Sequence, residues 1–190
     1  LSIKESISQR NKCIIGLSGG TTPEKLYELL SSENLPWEKI IFITVDERFV
    51  PSDDPESNLK MIRKSLFAHA PIPHENIITF DTSLPIESAA HEMSRKLTSI
   101  HLDILILGVG EDGHIASLFP HTKSLDSTWL VTTSETSQPP VKNRLTFTYD
   151  ALLDSDEVIL LIEGDEKKKT FEKAQQGNVD FHDLPIRKIL

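Results

Sequence analysis

The sequence predicts an α/β fold, doubly wound and Rossmann-like in outline, with a mostly parallel sheet and helices on both faces. Three observations carry this. Runs such as CIIGL, IIFITV, DILIL and EVILLI are apolar almost throughout, as strands buried on both faces must be. Helical patterns separate these runs, which is the alternation of an α/β domain. The runs also end in glycine- or charge-rich turns, where open α/β sheets hold their ligands.

The elements follow in order. Residues 13–17 read as a buried strand. Residues 23–30 read as a helix, with Thr22 as N-cap and Pro23 at the first helical position. A second strand spans 40–45. Residues 57–68 form a helix that places Leu59, Ile62 and Leu66 on one face. The stretch PIPHENIITF is a loop leading into a short strand, and 86–100 is a helix. Strands are expected at 103–107, 129–133, 144–148 and 157–162, with SQPP as a turn between the second and third of these. A last helix spans 166–176, with Gly177 just past its end.

At 190 residues this is expected to be one domain, residues 1–190, large enough to bury a core. The chain begins at Leu1 rather than Met, which suggests trimming. One cysteine, Cys13, excludes an internal disulfide and fits a reducing compartment. No apolar run approaches the ~18 residues of a membrane helix, and LSIKESISQRNK lacks the apolar segment of a signal peptide. A cytoplasmic protein is expected, with no membrane partner. Acids outnumber bases 29 to 20, for a net charge of −9, which argues against nucleic acid as a partner. A small anion remains possible if a few basic groups gather locally.

Four stretches could carry chemistry. In SGGTTPEKL, a glycine pair before a helix can turn backbone N–H groups toward an anion, although a plain tight turn looks the same. It is not a Walker A loop, because Gly-Lys-Ser/Thr is missing. In DERFVPSDDPESN, Arg48 can fork onto a phosphate and Asp46 can orient a catalytic group or a sugar hydroxyl; the competing reading is a solvated acidic turn. In LGVGEDGHIASLFPHT, Gly108, Gly110 and Gly113 form G-x-G-x-x-G around Asp112 and His114. The pattern comes too late in the chain for a dinucleotide fingerprint, but it puts an imidazole beside a carboxylate at the sheet's ligand edge. An imidazole can take and return a proton near neutrality. Finally, Arg144 and Lys167 follow or begin strands and can bring positive charge to the same edge, unless Lys167 belongs to a solvated face with Glu166. No H-x-x-x-H or C-x-x-C spacing occurs, so a metal is not expected.

Together these stretches resemble the 6-phosphogluconolactonases, in the wider group that includes glucosamine-6-phosphate deaminases. The matching segments are LSGGTTP, VDERFVPSDDPESN, DILILGVGEDGHIASLFP, PPVKNRLTFT and EGDEKKK, in the family's order and across nearly the whole chain. The resemblance implies a modified Rossmann-like sheet and hydrolysis of 6-phospho-D-glucono-1,5-lactone in the oxidative pentose phosphate pathway, without cofactor or metal. It implies that His114 is the acid/base and that Asp46 orients the substrate or the catalytic centre. Gly19, Gly20, Thr21, Asn58 and Asp112 would join the substrate site, and Arg48, Arg144 and Lys167 would hold the phosphate. The expected partner is a small phosphorylated sugar lactone, bound by a monomer or weak homo-oligomer.

Two rival functions remain. The deaminases share DGHIA but continue with Phe-Asn-Glu-Pro; here Ser117 to Pro120 read SLFP, so Phe119 stands where their glutamate would be. A non-catalytic sugar-phosphate sensor would keep the cations and lose the imidazole, yet His114 is present. Ile115 and His121 stand where lactonases usually carry Thr and Gly, and both ends are shorter than is usual in the family.

Overall fold

A computed structural model describes residues 2–137 and 140–190; the expected SQPP turn includes Gln138 and Pro139 and lies outside the described residues. Among the described residues, five parallel strands form the central sheet in the order β4-β2-β1-β5-β8. These are β1 (Cys13–Leu17), β2 (Ile40–Thr44), β4 (Ile77–Ile78), β5 (Leu102–Gly108) and β8 (Ser155–Leu161). The chain runs outward from β1 through β2 to β4, then returns to the other side of β1 for β5 and β8. This reversal leaves a crevice at the carboxyl ends of β1 and β5.

The unbroken apolar runs have a direct cause. Cys13, Ile15 and Leu17 of β1 point into one buried cluster and Ile14 into the other. In β5, Ile104 and Ile106 face the first cluster while Leu105 and Leu107 face the second. Both faces are therefore covered, and neither tolerates polar alternation. The first face packs α1 (Ile3–Arg10), α2 (Thr21–Ser31) and the helix that begins at α3 (Asn58–Ile62). The second packs α4 (Ile86–Leu97), α5 (Tyr149–Leu153) and α6 (Asp165–Gln175). The expected face of Leu59, Ile62 and Leu66 is buried, and the helix continues past Ile62 as a π-turn through Phe67.

Three features depart from expectation. The strands near 129–133 and 144–148 do not join the parallel sheet. As β6 (Val131–Glu135) and β7 (Asn143–Phe147), they form an antiparallel sheet with β3 (Asp46–Arg48), in the order β3-β7-β6. Val45 joins the two sheets: its N–H donates to the Leu17 carbonyl at 3.0 Å, and its carbonyl accepts from the Phe147 N–H at 2.8 Å. Asp46–Arg48 is thus a short strand rather than a turn. Secondly, α2 starts at Thr21 with Gly20 as its cap. Pro23 then occupies the third helical position, where its missing N–H still costs no intrahelical bond. Thirdly, the short α5 and the longer α1 are helices that the sequence does not lead one to expect from its apolar periodicity, although α1 is marked at its start. Its signal is the Ser2/Glu5 capping box, with the Ser2 N–H donating to Glu5 at 2.6 Å and the Glu5 N–H to Ser2 Oγ at 3.2 Å.

At the amino ends of the strands, charges tie the layers together. Arg10 bonds Asp103 and, at 2.6 Å, Asp156, while the Ile14 N–H donates to Asp103 at 2.6 Å. His101 lies between two carboxylates, Nδ1 at 2.7 Å from Asp154 and Nε2 at 2.9 Å from Asp156. Only the imidazolium can donate to both, so the bonds to Asp156 and then Asp154 raise its pKa. A raised folded-state pKa adds stability that is fully present below the ordinary histidine value and is lost as pH rises through the folded value. The melting temperature, followed from about pH 6 to about pH 9, should therefore fall less in His101→Gln than in the native chain. Identical pH dependence in the two proteins would remove this contribution.

Candidate active site

The loops after β1, β2, β5 and β8 surround a groove of about 250 Å³. Of the residues singled out from the sequence, Gly19, Gly20, Thr21, Asp46, Arg48, Asn58, His114, Arg144 and Lys167 all line it. Asp112 does not; it stands behind the His114 ring.

The loop after β1 is held from below. The Tyr27 hydroxyl donates to the Ser18 carbonyl at 2.8 Å, and the Gly108 N–H donates to Ser18 Oγ at 3.1 Å. Gly20 offers no side-chain cap to α2, so the N–H groups of the first turn remain available at the groove. Gly19 is required by close approach, because a Cβ there would overlap the Asn58 amide.

The next wall is β3. Glu47, absent from the sequence-based site, organises it. Its buried carboxylate accepts from the N–H groups of Arg48 at 2.7 Å, Asn58 at 2.7 Å and Leu59 at 2.8 Å, and from Ser57 Oγ at 3.1 Å. Burial pushes this carboxyl up in pKa despite those donors. Asn58 Nδ2 donates to the Asp46 carbonyl at 3.1 Å, and Arg48 Nη1 to the Glu56 carbonyl at 2.7 Å. Arg48 lies directly opposite Arg144 in the β3–β7 register. Burial first, and the Arg48 charge second, hold the Arg144 guanidinium below its usual value, against the pull of Asp46, Glu47 and Glu56. Like charges placed opposite each other are unfavourable, and an anion between them reverses the sign. Arg144 is 7% exposed, and its Nη1 has no hydrogen-bond partner among the described residues. Asp46 Oδ1 and Asn58 Oδ1 are likewise buried without one. Unpaired buried polar atoms are rare in folded proteins, and here three of them belong to residues of one groove.

The third wall is the glycine turn. It opens no helix; isolated bridges join Val109 to Ile115 and Ile115 to Leu118 and fold it into a compact loop. His114 Nδ1 lies 2.6 Å from Asp112 Oδ1, which also accepts the His114 N–H at 3.1 Å. Burial raises the Asp112 carboxyl, but the His114 ring and N–H outweigh it and hold the carboxyl below its ordinary value. A carboxylate at Nδ1 keeps the proton on that nitrogen and leaves Nε2 as the acceptor. The Phe119 ring packs on the imidazole with centroids 4.6 Å apart. Gly110 leaves room for this pair, since a Cβ there would overlap the imidazole and crowd the Asp112 carboxylate. Gly110→Ala should lower kcat by about 10²-fold through a displaced ring, with a melting temperature near that of the native chain. An unchanged kcat would mean that the ring tolerates displacement.

Lys167, in the first turn of α6, closes the groove from the β8 side. The helix-face alternative applies instead to Lys169, which pairs with Glu166 at 2.6 Å. Among the described residues, no cluster of three or more His, Cys, Asp or Glu could hold a metal ion, and no helix is long and apolar enough to cross a membrane.

Comparison with known proteins points the same way. The family described as glucosamine-6-phosphate isomerases/6-phosphogluconolactonase matches residues 1–190. The 6-phosphogluconolactonase of Thermotoga maritima is 40% identical over 168 residues, covering 87% of this chain and 76% of the relative. A crystal structure of the Thermotoga maritima 6-phosphogluconolactonase superposes with a TM-score of 0.89 at 36% identity, over 98% of this chain and 83% of that one. A monomeric glucosamine-6-phosphate deaminase also superposes, with a TM-score of 0.84 at 26% identity, over 97% of this chain and 84% of that one. Fold alone therefore does not separate the two activities.

Proposed function

The chain belongs to the glucosamine-6-phosphate isomerase/6-phosphogluconolactonase family and is a lactone hydrolase within it, and from that premise we propose how its groove turns 6-phospho-D-glucono-1,5-lactone into 6-phosphogluconate. Arg48, Arg144 and Lys167 bind the phosphate. The phosphate is remote from the ester carbon, so its binding energy goes into orienting the ring. His114 Nε2 takes a proton from water as the water oxygen bonds to C1. The carbonyl electrons move onto oxygen, where N–H groups at the start of α2 stabilise the oxyanion. The carbonyl then re-forms, the bond from C1 to the ring oxygen breaks, and the imidazolium returns its proton to that oxygen. Asp112 fixes the tautomer and steadies the imidazolium.

The observation that carries this reading is the His114 imidazole, backed by Asp112, facing the same groove as two opposed arginines. All the groups come from one chain, so a monomer or weak homo-oligomer suffices. We place the protein in the cytoplasm, which suits its single buried cysteine. The test is acid release from freshly generated 6-phosphogluconolactone, with the spontaneous rate subtracted, alongside ammonia release from glucosamine 6-phosphate. Acid release proportional to enzyme is expected. Ammonia without acid release would favour the deaminase, and tight binding without turnover would favour a sensor.

A further inference from the structure

We propose that Ser117 is a positioning residue for the hydrolysis, acting through Asp46; this rests on the lactonase reading above. The Ser117 hydroxyl donates to Asp46 Oδ2 at 2.8 Å, and its N–H donates to Thr146 Oγ1 at 3.1 Å. Asp46 and Thr146 are direct partners in the β3–β7 pair. Ser117 therefore grips both strands at once, two residues along from the paired arginines. It also follows His114 by three residues, so the same side chain sets where the imidazole loop stands against the cationic strands.

Two further features suit this role. Ala116, between the imidazole loop and this grip, has φ +48, a left-handed conformation that a residue with a Cβ adopts at a cost. Such strain persists where surrounding bonds over-determine the backbone, and the two Ser117 bonds do so here. The second feature is the state of Asp46. Its Oδ2 is taken by Ser117 while its Oδ1 has no hydrogen-bond partner among the described residues. Fixing one oxygen removes the carboxylate's rotation and reserves the other as an acceptor for the reacting substrate. A group fixed in this way acts mainly in the transition state, where geometry is most demanding. Nothing in the order of residues marks Ser117; its partner is 71 positions away.

The experiment measures kcat, KM and melting temperature for Ser117→Ala, Asp46→Asn and the double variant. Ser117→Ala should lower kcat about tenfold, the scale of one hydrogen bond to a charged group, with KM within about threefold. That loss should nearly vanish when Asp46→Asn is already present, because the two residues act as one unit. Equal losses in both backgrounds, or full kcat in the single variant, would overturn the proposal. Should Ser117→Ala not fold, Ser117→Thr and Ser117→Cys decide. The threonine keeps the hydroxyl and should retain activity, whereas the cysteine keeps the size with a weak donor and should lose it. Equal activity in those two would overturn the proposal. A native chain without lactonase activity sinks the parent reading; an active chain with additive variants sinks only the role of Ser117.

Discussion

His114→Ala should lower kcat by about 10²–10⁴-fold, the usual worth of general acid–base help, and leave the fold intact. Among the described residues, the imidazole is the one group in the groove that has a carboxylate-supported nitrogen behind it and a second nitrogen available in front. Its side chain is 25% exposed, so removing it leaves no large cavity in the core. The pair with Asp112 is only partly buried, and losing it should cost about 1 kcal/mol or less. Single-turnover kinetics on fresh lactone, with circular dichroism and a melting curve beside them, separate chemistry from folding. Asp112→Asn should be milder in its effect, since the amide oxygen can still accept from Nδ1 while the charge that steadies the imidazolium is gone. Near-native kcat in His114→Ala would remove the assigned base, whatever the other variants do.

Arg48→Ala and Arg144→Ala should each raise KM by about 10–10²-fold, the range of a lost charge-assisted contact, with kcat changed only a few-fold. A phosphate contact persists from ground state to transition state, so it contributes to binding more than to the chemical step. The two residues differ in one respect. Arg48 also donates to the Glu56 carbonyl, so its alanine variant loosens the loop that precedes α3. Arg144 Nη1 has no hydrogen-bond partner among the described residues, so no bond of that nitrogen is lost with it. Arg144→Ala is therefore the cleaner reading of phosphate binding. Arg48→Lys keeps the charge without the planar fork and should fall between native and alanine. Inorganic phosphate supplies an independent check, as a competitive inhibitor whose potency should drop in the same variants. If Arg48→Ala instead lowered kcat alone, its guanidinium would be stabilising the oxyanion and the phosphate assignment would fail.

Much of this was legible in advance, and the reason is local. Strands buried on both faces must be apolar at every position, so β1, β2 and β5 announce themselves within a residue or two. The rule that ligands sit beyond the carboxyl ends of such strands then points to Ser18, Asp46, Gly108 and Lys167 with no knowledge of how the strands are ordered. The antiparallel sheet was less visible. Its strands are short, and Asp46–Arg48 reads as an acidic turn because Glu47 and Arg48 are charged. What makes it a strand is the pairing with Asn143–Phe147, about a hundred positions later. The start of α2 was misplaced for a similar reason, since a glycine with φ +115 can stand in for a polar cap and leaves no side-chain signature.

Sequence alone determined the layered α/β architecture, the edge of the sheet where chemistry is possible, and the residue types gathered there, because each depends on periodicity and composition over a few neighbouring positions. Tertiary structure alone decided that Arg48 faces Arg144, that Asp112 stands behind the imidazole rather than in the lining of the groove, that Glu47 ties down the loop before α3, and that Ser117 holds Asp46. Two of these, Arg48 with Arg144 and Ser117 with Asp46, are contacts between residues far apart in the chain, and in each of the four the direction of a side chain is set by packing around it, which spacing along the sequence does not encode.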